Sequence, residues 1–429
     1  MHARGAAARR RILAAALELF LAEGFEAATV RAIGERAGVS DSALYYYFEN
    51  KAAILQALLV EPQWPYPERP IRSAADLRQL ALNQFSAWLQ NAPLVRLTVR
   101  EALAGQPLAR EFSVRATEMA ERRICEAAAK VFPPTEAEAV CEALDAVRFG
   151  AIADALLHAV DQLEAYASTE EYRAWLASLI DLIIPGSEPA APVTPLRLFP
   201  RQHVDESGAE PASGRESPTE ERRPTELSIR PRRERGNERT RQRILRAAAE
   251  LFAERGFDAT SMKAVAARVG LSDAALYYYF RSKHQILEAL WDIPEIRRFG
   301  GDDGAAPPLT LRELVDAVAE TIAAQDTVLR LTAVRTLAGD RTARSLREYT
   351  LARWRQFLLR WLEGRLELPP GQRERVADAL TLAILGSVYP AQIRYGTDSP
   401  AYFLSEEFRS RLLRIAERLA RTPPPADRG

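Results

Sequence analysis

Apolar positions recur at helical spacing along most of the chain. Near its start, Ile12, Ala16 and Phe20 fall on one face of a helix that Gly24 ends, since residues three and four apart share a face. Further amphipathic helices are predicted at roughly 74–90, 94–104, 108–131, 136–160 and 170–184. No stretch shows the alternation of apolar and polar residues that is typical of a half-buried strand. The pattern therefore predicts an all-α protein.

The pattern occurs twice. Arg9–Leu58 aligns without gaps on Arg241–Leu290, with about half of the positions identical. A weaker likeness follows, in which Val95–Thr98 matches Leu329–Thr332. One repeat of such a long period indicates a duplicated two-domain unit rather than a solenoid of short repeats.

Each copy begins with three short helices around one tight turn. In the first copy Thr29 suits the N-cap of a second helix, Gly38 closes that helix and Ser40 caps a third. Leu44 and Phe48, four residues apart, anchor the third helix to the core. This arrangement is typical of a helix-turn-helix, which offers its recognition helix to the major groove of DNA.

A change in composition separates the two copies. From residue 185 to about 235 the chain is dense in Pro, Ser, Glu and Arg, which predicts a disordered linker. Pro390 is predicted to kink or break the fourth long helix of the second bundle. The predicted domains are a headpiece at 1–59, a helical ligand-binding and dimerisation bundle at 60–185, the linker at 186–235, a second headpiece at 236–291 and a second bundle at 305–421.

The formal charge is balanced, with 58 Lys and Arg against 58 Asp and Glu. A basic domain is the usual mark of a nucleic-acid-binding protein, so this balance counts against DNA binding. Arginines are nevertheless concentrated before each helix-turn-helix, where local arms can supply phosphate contacts. They are Arg4, Arg9, Arg10 and Arg11 before the first copy, and Arg232, Arg233, Arg235, Arg239, Arg241 and Arg243 before the second.

Cysteine content and hydropathy bear on the compartment. Cys125 and Cys141 have a spacing that fits neither a CxxC motif nor a zinc site. They are expected to be buried or idle thiols in a reducing cytosol. No signal peptide is visible and no stretch is expected to be apolar enough to span a bilayer. A cytoplasmic location without a membrane partner is therefore expected.

The sequence carries no catalytic motif. Its four histidines, His2, His158, His203 and His284, are scattered. There is no Gly-rich phosphate loop, nucleophile elbow or metal-ligand spacing. The chain is therefore not expected to be an enzyme or to hold a metal ion or cofactor.

The motifs of both copies resemble those of one family. The first helix ends in Leu-Phe-x-x-x-Gly-Phe at Leu19–Phe25, Gly-Val-Ser follows at Gly38–Ser40, and Leu-Tyr-x-Tyr-Phe at Leu44–Phe48 precedes Lys51. This order resembles the TetR/AcrR family of transcriptional regulators, strongly in the headpieces and only by length, helical character and order in the bundles. The resemblance implies an all-α fold whose bundle binds a small ligand and dimerises through its last long helices.

The same resemblance implies DNA contacts, position by position. In that family the start of the second helix contacts phosphates and groove edges, the next turn reads bases, and the tyrosines and lysine contact phosphates. The matching residues are Thr29, Arg31, Ser40, Asp41, Ser42, Ala43, Tyr45, Tyr47 and Lys51 in the first copy, and Ser261, Lys263, Ser272, Asp273, Ala274, Ala275, Tyr277, Tyr279 and Lys283 in the second.

Some of these positions have a competing interpretation. Asp41 and Asp273 begin a helix, where an acid is stabilising whatever the function; an acceptor bond to cytosine N4 is the second interpretation. Tyr46 and Tyr278 are explained as well by packing as by DNA contact. Because the two recognition turns are nearly identical, a nearly palindromic operator is expected.

The bundles are expected to hold an unidentified small-molecule effector. Aromatic residues at helical spacing are candidates for its pocket, although such residues are more often plain core. The candidates are Phe85, Trp88, Phe112, Met119 and Phe149 in the first bundle, and Trp354, Phe357, Trp361 and Tyr389 in the second.

Together these features predict a sequence-specific regulator that binds a double-stranded DNA operator, in the form of a repressor that a small molecule releases. Its halves are expected to act as a pseudo-dimer within one chain, because a tether holds the second half at an effective concentration of about 1 mM. Pairing of two chains as a further homodimer stays open. The alternative is a ligand-sequestering or scaffold protein of the same fold with weak or lost DNA binding.

Overall fold

The computed structural model describes residues 3–60, 70–158, 167, 169–184, 232–255, 257, 259–290, 310–363, 365, 368 and 370–420. All regular secondary structure in these ranges is helical, which confirms the all-α prediction. The chain divides into two compact units, one made of Met1–Leu196 with Glu288–Gly429 and one made of Arg197–Leu287. The first unit contains the first headpiece and both bundles, and the second contains most of the second headpiece.

The helices follow the predicted order in both halves. In the first half they are α1 (Ala3–Glu23), α2 (Val30–Ala37), α3 (Asp41–Tyr47), α4 (Lys51–Val60), α5 (Ala74–Gln90), α6 (Ala92–Leu103), α7 (Pro107–Ala128), α8 (Pro134–His158) and α9 (Glu170–Ile180). In the second half they are α10 (Arg232–Arg255), α11 (Met262–Val269), α12 (Asp273–Tyr279), α13 (Lys283–Leu290), α14 (Leu311–Leu337), α15 (Arg341–Glu363), α16 (Pro370–Tyr395), α17 (Ser399–Phe403) and α18 (Glu406–Ala420), with a 3-10 turn at Gly396–Asp398.

The predicted linker at 186–235 lies outside the described residues except at its end. There, α10 begins at Arg232, before the predicted headpiece boundary at 236. The arginines predicted to form arms are likewise helical in backbone: Arg4 and its neighbours belong to α1, which begins at Ala3. The basic segments are therefore continuous with the first helix of each headpiece.

A single apolar core joins the first headpiece to the bundle behind it. Phe20, Ile33 and Leu44, one each from α1, α2 and α3, are fully buried. Leu94 and Leu97 of α6 belong to the same buried cluster. Because apolar burial is the main stabilising term in folding, the first headpiece is held against α6.

The two bundles pack on each other along α8 and α16. A Cβ added to Gly150 would overlap the carbonyl oxygen of Leu382, and one added to Gly386 would overlap the carbonyl oxygen of Ala146. The contact is reciprocal, since each glycine lies over the residue four positions before the other glycine. Reciprocity of this kind is what a two-fold, isologous interface shows, and the missing side chains are what let the two backbones approach so closely.

Polar contacts on both sides of this crossing follow the same reciprocal pattern. From α9 of the first half, Trp175 Nε1 donates to Asp378 Oδ2 of α16 at 3.1 Å. From α18 of the second half, the Arg414 guanidinium donates to Glu142 of α8 at 2.6 and 2.9 Å. The last long helices of the two halves thus form one interface within the chain.

Helix α16 corrects two expectations. It continues through Pro390, so the predicted break is wrong, and the alternative of a kink stays a prediction. Among the described residues, the helical run Gly371–Phe403 is also long and apolar enough to cross a membrane by length and composition, with a mean hydropathy of 1.3, so the expectation that no stretch qualifies was wrong. Because 83% of that window is buried inside the protein, the core position of α16 between the two halves accounts for its composition.

The expectation of two idle thiols was also wrong, because Cys125 and Cys141 form a disulfide. Helices α7 and α8 are consecutive and joined by a short turn, so positions 16 residues apart return to face each other, with Cα atoms 4.9 Å apart. Disulfides are rare in the cytosol. The cysteines therefore give no support to a reducing compartment.

Candidate DNA-binding surfaces and ligand cavities

Side-chain caps and one glycine shape the turn of the first headpiece. Thr29 Oγ1 accepts a hydrogen bond from Ala32 N at 3.1 Å, and Ser40 Oγ accepts one from Ala43 N at 3.3 Å. Between them, Gly38 ends α2 with φ at 64°, a left-handed conformation that only glycine adopts without strain. These contacts confirm the predicted caps and fix the direction in which α3 leaves α2.

The second headpiece repeats this geometry. Ser261 Oγ accepts from Ala264 N at 3.1 Å, and Ser272 Oγ accepts from Ala275 N at 3.2 Å. Gly270 ends α11 with φ at 71°. Matching caps around a matching left-handed glycine give the two copies the same local turn.

Both recognition helices are anchored by the predicted apolar pair. Leu44 and Phe48 in α3 and its C-cap are buried, as are Leu276 and Phe280 in the second copy. The opposite face carries the predicted contact residues: Asp41, Ser42, Tyr45, Asp273, Ala274 and Tyr277 are exposed, while Ala43, Tyr47, Ala275 and Tyr279 are partly buried. The anchors thus hold one side of each helix in the core and leave the other side for a partner.

The middle tyrosines are the residues that the sequence reasoning left undecided. Tyr46 is 82% exposed and Tyr278 is 76% exposed, so packing in the core does not explain them. Each lies edge-on against the next tyrosine, with centroids 5.2 Å apart for Tyr46 and Tyr47. Helical periodicity could have predicted this exposure, because position 46 lies about 200° around the helix axis from the buried Leu44.

The two copies carry different cations at the start of the second headpiece helix, which is α2 in the first copy and α11 in the second. Arg31 is 80% exposed and pairs with Glu35 one turn on, at 2.9 Å. The matching Lys263 at the start of α11 is exposed as well. Both positions are free of the core and accessible to a phosphate.

Lys51 has contacts within the protein that the sequence did not indicate. Its Nζ donates to the carbonyl oxygens of Phe25, Glu26 and Ala28 at 2.6, 3.0 and 3.0 Å, and it lies 4.5 Å from the centroid of the Phe25 ring. In the second copy Lys283 Nζ donates to the Phe257 carbonyl at 2.7 Å. The predicted phosphate contact stays a prediction, and these bonds give the lysine a competing role, that of holding the loop between α1 and α2.

A buried Arg–Glu pair on α6 fastens the end of α1. The Arg100 guanidinium donates to the carbonyl oxygens of Phe20 and of Leu21, the latter at 2.7 Å. Glu101 Oε1 accepts from Arg100 at 2.7 Å and from Phe25 N at 3.2 Å. These contacts place the Arg100 cation at the carbonyl end of α1, where the helix dipole favours a positive charge. The Phe20 carbonyl also accepts from Gly24 N at 3.0 Å. Both side chains are nearly inaccessible, so α1 and α6 are linked by charge as well as by packing.

The pair is not repeated at the aligned positions of the second half. Those positions are Val334 and Arg335, and Arg335 pairs instead with Asp340 at 2.7 Å. The halves therefore differ at the positions that join α6 to α1 in the first half.

Two apolar cavities lie among the described helices of the first unit. The larger, with about 820 Å³ of open space counting the part continuous with solvent, lies in the second bundle and is lined by Trp354 and Tyr389 among others. The smaller, with about 520 Å³, lies where the halves meet, and Trp88, Phe149 and Tyr389 contribute to it. Four of the predicted pocket residues are thus brought to cavities.

The other candidates lie outside these two linings. Phe85, Phe357 and Trp361 are buried core residues. Phe112 packs against the headpiece core, and Met119 is 45% exposed on the surface. Sequence spacing alone did not separate core aromatics from cavity aromatics, because both lie on inward faces.

Charged side chains are buried where α8 meets α15, beside the larger cavity. The Nη2 of Arg347 lies 3.8 Å from Asp154 Oδ1, and both side chains are almost fully buried. Burial raises the pKa of Asp154 to about 6, although the charge of Arg347 opposes this. Burial also lowers the pKa of His158 to about 4, and Arg347 and Arg344 lower it further. Asp154 therefore keeps its proton to a higher pH than a solvent-exposed aspartate does, and His158 loses its proton at a lower pH than a solvent-exposed histidine does.

Comparison with known proteins identifies both headpieces. The family model described as "Bacterial regulatory proteins, tetR family" matches residues 12–58 and 244–290. The regulator SrpR of Pseudomonas putida is 46% identical over 57 residues, which cover 13% of this chain and 27% of SrpR. The transcriptional repressor KstR of Rhodococcus jostii is 36% identical over 91 residues, which cover 20% of this chain and 43% of KstR. The chain thus spans less than half the length of these relatives.

Solved structures show a corresponding likeness. Salmonella enterica GusR is 22% identical, with a TM-score of 0.32 over 42% of this chain and 95% of GusR. NalD of Pseudomonas aeruginosa is 24% identical, with a TM-score of 0.31 over 42% of this chain and 96% of NalD. With TM-scores of 0.32 and 0.31, these likenesses carry no further argument about this chain.

Proposed function

We propose that this chain, whose two headpieces match the family model of tetR bacterial regulatory proteins at residues 12–58 and 244–290, regulates transcription by binding a double-stranded DNA operator. The observation that carries this proposal is the matched pair of recognition helices, α3 and α12. Together with its N-cap serine and C-cap phenylalanine, each helix has two buried apolar anchors on one side and exposed serine, aspartate and tyrosine on the other. An exposed helix held this firmly behind a tight turn is what major-groove recognition requires.

We further propose that the two halves act as a pseudo-dimer. A single headpiece touches few phosphates, and non-specific binding of roughly 10⁻⁴–10⁻⁶ M is typical at physiological salt. Two headpieces placed one helical turn apart, about 34–36 Å, read a palindrome much more tightly. The reciprocal crossing of α8 and α16 through Gly150 and Gly386 supports this proposal, because it is the contact expected when the bundles of two separate subunits pair.

The regulator is proposed to be a repressor that a small-molecule effector releases. A ligand shifts such an equilibrium only by its different affinity for the two states, so a physical link from bundle to headpiece is needed. Arg100 and Glu101 supply one, since they join α6 to the carbonyl end of α1. A movement of α6 caused by a ligand would therefore displace the first headpiece.

The second candidate is a ligand-sequestering protein that has kept the fold and lost DNA binding. The zero formal charge of the chain favours it, because a domain that binds DNA is usually basic. The retention of capping serines and exposed tyrosines in both copies favours the regulator.

The test is selection of sites from random duplex DNA by the purified full chain, with the mass of the complex measured in solution. Enrichment of a palindrome bound by one chain is the expected result. A longer site bound by two chains would keep the regulator and refute the one-chain pseudo-dimer. Absence of enrichment, with weak salt-sensitive binding only, would favour sequestration. The double variant Tyr45→Ala/Tyr277→Ala, at two exposed positions, serves as the control that should lose selected sites.

A further inference from the structure

The larger cavity contains a buried cation whose hydrogen-bonding groups are unused. Arg347 is 3% exposed and belongs to the lining of the cavity. Within the described part of the chain, its Nε, Nη1 and Nη2 donate no hydrogen bond. A buried donor without an acceptor is costly, and most such groups in proteins have a partner. The site therefore calls for an acceptor.

Asp154 balances the charge of Arg347 without satisfying its donors. At 3.8 Å the two groups are too far apart for a hydrogen bond, and neither carboxylate oxygen of Asp154 receives one from the described residues. Asp154 comes from α8 of the first half and is not part of the cavity lining. Arg347 thus lies between Asp154, 3.8 Å away, and the cavity that it helps to line.

The remaining walls offer little to a second polar group. Among the residues that line this cavity in the described structure, Arg347 alone carries a charge. Three lining threonines donate their hydroxyl protons to carbonyls of their own helices: Thr321 to Ala317 at 2.8 Å, Thr350 to Leu346 at 3.0 Å and Thr381 to Ala377 at 2.8 Å. Other polar side-chain atoms of the lining belong to Gln325, Trp354 and Tyr389. A molecule that fits these walls has a mainly apolar body and an acceptor group for Arg347.

We infer that this cavity binds an apolar monocarboxylate, with its carboxylate held by Arg347 and its hydrocarbon body against Leu351, Trp354 and Val388. The planar guanidinium matches a carboxylate with two parallel hydrogen bonds. Because Asp154 already offsets the charge of Arg347, a singly charged carboxylate meets less repulsion from Asp154 than a doubly charged phosphate would. The inference deepens the proposed function by naming the class of effector, and rests on that function only for the consequence on DNA.

Binding is tested by calorimetry on the full chain without DNA. The probes are octanoate and 4-phenylbutyrate, each compared with its own methyl ester, which has the same body and no charge. The acids are expected to bind about 10- to 100-fold more tightly than the esters, as for a charge-assisted hydrogen bond. Equal binding of acid and ester, or no binding of either acid, would overturn the inference.

Two substitutions with opposite expected effects assign the preference to Arg347. The double variant Asp154→Asn/Arg347→Met removes both charges together, so no buried charge is left alone, and it should bind acid and ester equally. Asp154→Asn alone removes the competing anion and should bind the acids several-fold more tightly, with the esters unchanged. An acid preference that survives in the double variant, or weaker acid binding by Asp154→Asn, would overturn the assignment.

The DNA experiment is kept separate from the binding experiment. Acid that binds without changing operator affinity would leave the cavity assignment intact and refute release by an effector. If some other compound released the operator and neither acid bound, release by an effector would be supported and the cavity assignment would be refuted.

Discussion

Replacing Lys51 with methionine separates two roles that the sequence could not distinguish. The resemblance predicts a phosphate contact for this residue. In the structure its ammonium group donates to three carbonyl oxygens of the loop that joins α1 to α2. Methionine keeps much of the aliphatic stem and removes the charge and all three donors, so it tests the structural role directly.

The expected loss of stability follows from these bonds. The bonds to the carbonyls of Phe25 and Ala28 are partly buried, whereas the bond to Glu26 is exposed and water can replace it. A hydrogen bond from a charged group contributes about 1.5–3 kcal/mol, so the two partly buried bonds together contribute about 3–6 kcal/mol. The ammonium also lies over the Phe25 ring, which adds about 0.5–1 kcal/mol. The headpiece is therefore expected to lose about 4–7 kcal/mol of its opening free energy.

Two measurements together test this account. Hydrogen exchange of amides in α1 and α2 reports the opening free energy of the headpiece alone, and the salt dependence of operator binding counts phosphate contacts through a slope of about −0.9 per contact. Lys51→Met should lower the opening free energy and leave the salt slope unchanged. The matched control is Arg31→Met in the same headpiece: Arg31 is 80% exposed, so it should leave hydrogen exchange unchanged and make the slope shallower by about 0.9.

The opposite pattern would refute the reasoning. If Lys51→Met left hydrogen exchange at its wild-type rate and reduced the salt slope by about 0.9, the lysine would be a phosphate contact whose loop bonds contribute nothing. Lys283→Met repeats the test in the second copy, where the bond to the Phe257 carbonyl is 2.7 Å long.

Three further predictions concern the bundles. Gly150→Leu puts side-chain atoms where α16 runs and should lower the free energy of unfolding by about 3 kcal/mol or more, measured by denaturant unfolding. The control Gly371→Ala, whose added Cβ meets no atom within 4 Å, should leave stability unchanged. Equal stability of the two variants would contradict the close crossing. Arg100→Leu leaves Glu101 buried without its cation and should cost about 3–5 kcal/mol, and any folded variant should show effector binding that no longer changes operator affinity. Between pH 7 and pH 4 the fold loses stability through His158, whose pKa falls from 6.5 to about 4 on folding, and gains it through Asp154, whose pKa rises from 3.8 to about 6. His158→Gln should therefore gain, and Asp154→Asn lose, about 3 kcal/mol relative to wild type on acidification; pH profiles that stay parallel to wild type would refute both.

The sequence by itself determined the elements and their local turns. Helix lengths, the caps at Thr29 and Ser40, and the glycine that ends α2 follow from residues a few positions apart. The anchors Leu44 and Phe48 follow from helical period. Such features depend on local backbone preferences and on which face a helix must bury, and the internal repeat showed each of them twice. The two headpieces were predictable for this reason.

Only the tertiary structure decided how distant segments meet. Three contacts join residues that no sequence period relates. They are the bonds from Lys51 to the α1–α2 loop, the bonds from Arg100 to the end of α1, and the contact of Asp154 with Arg347. The disulfide between Cys125 and Cys141 depends on the path of the turn between α7 and α8, and the role of Gly150 depends on the helix that crosses it. Side-chain chemistry indicates what a residue can do, whereas its partner across the fold determines what it does, because burial and hydrogen bonding are set by neighbours in space.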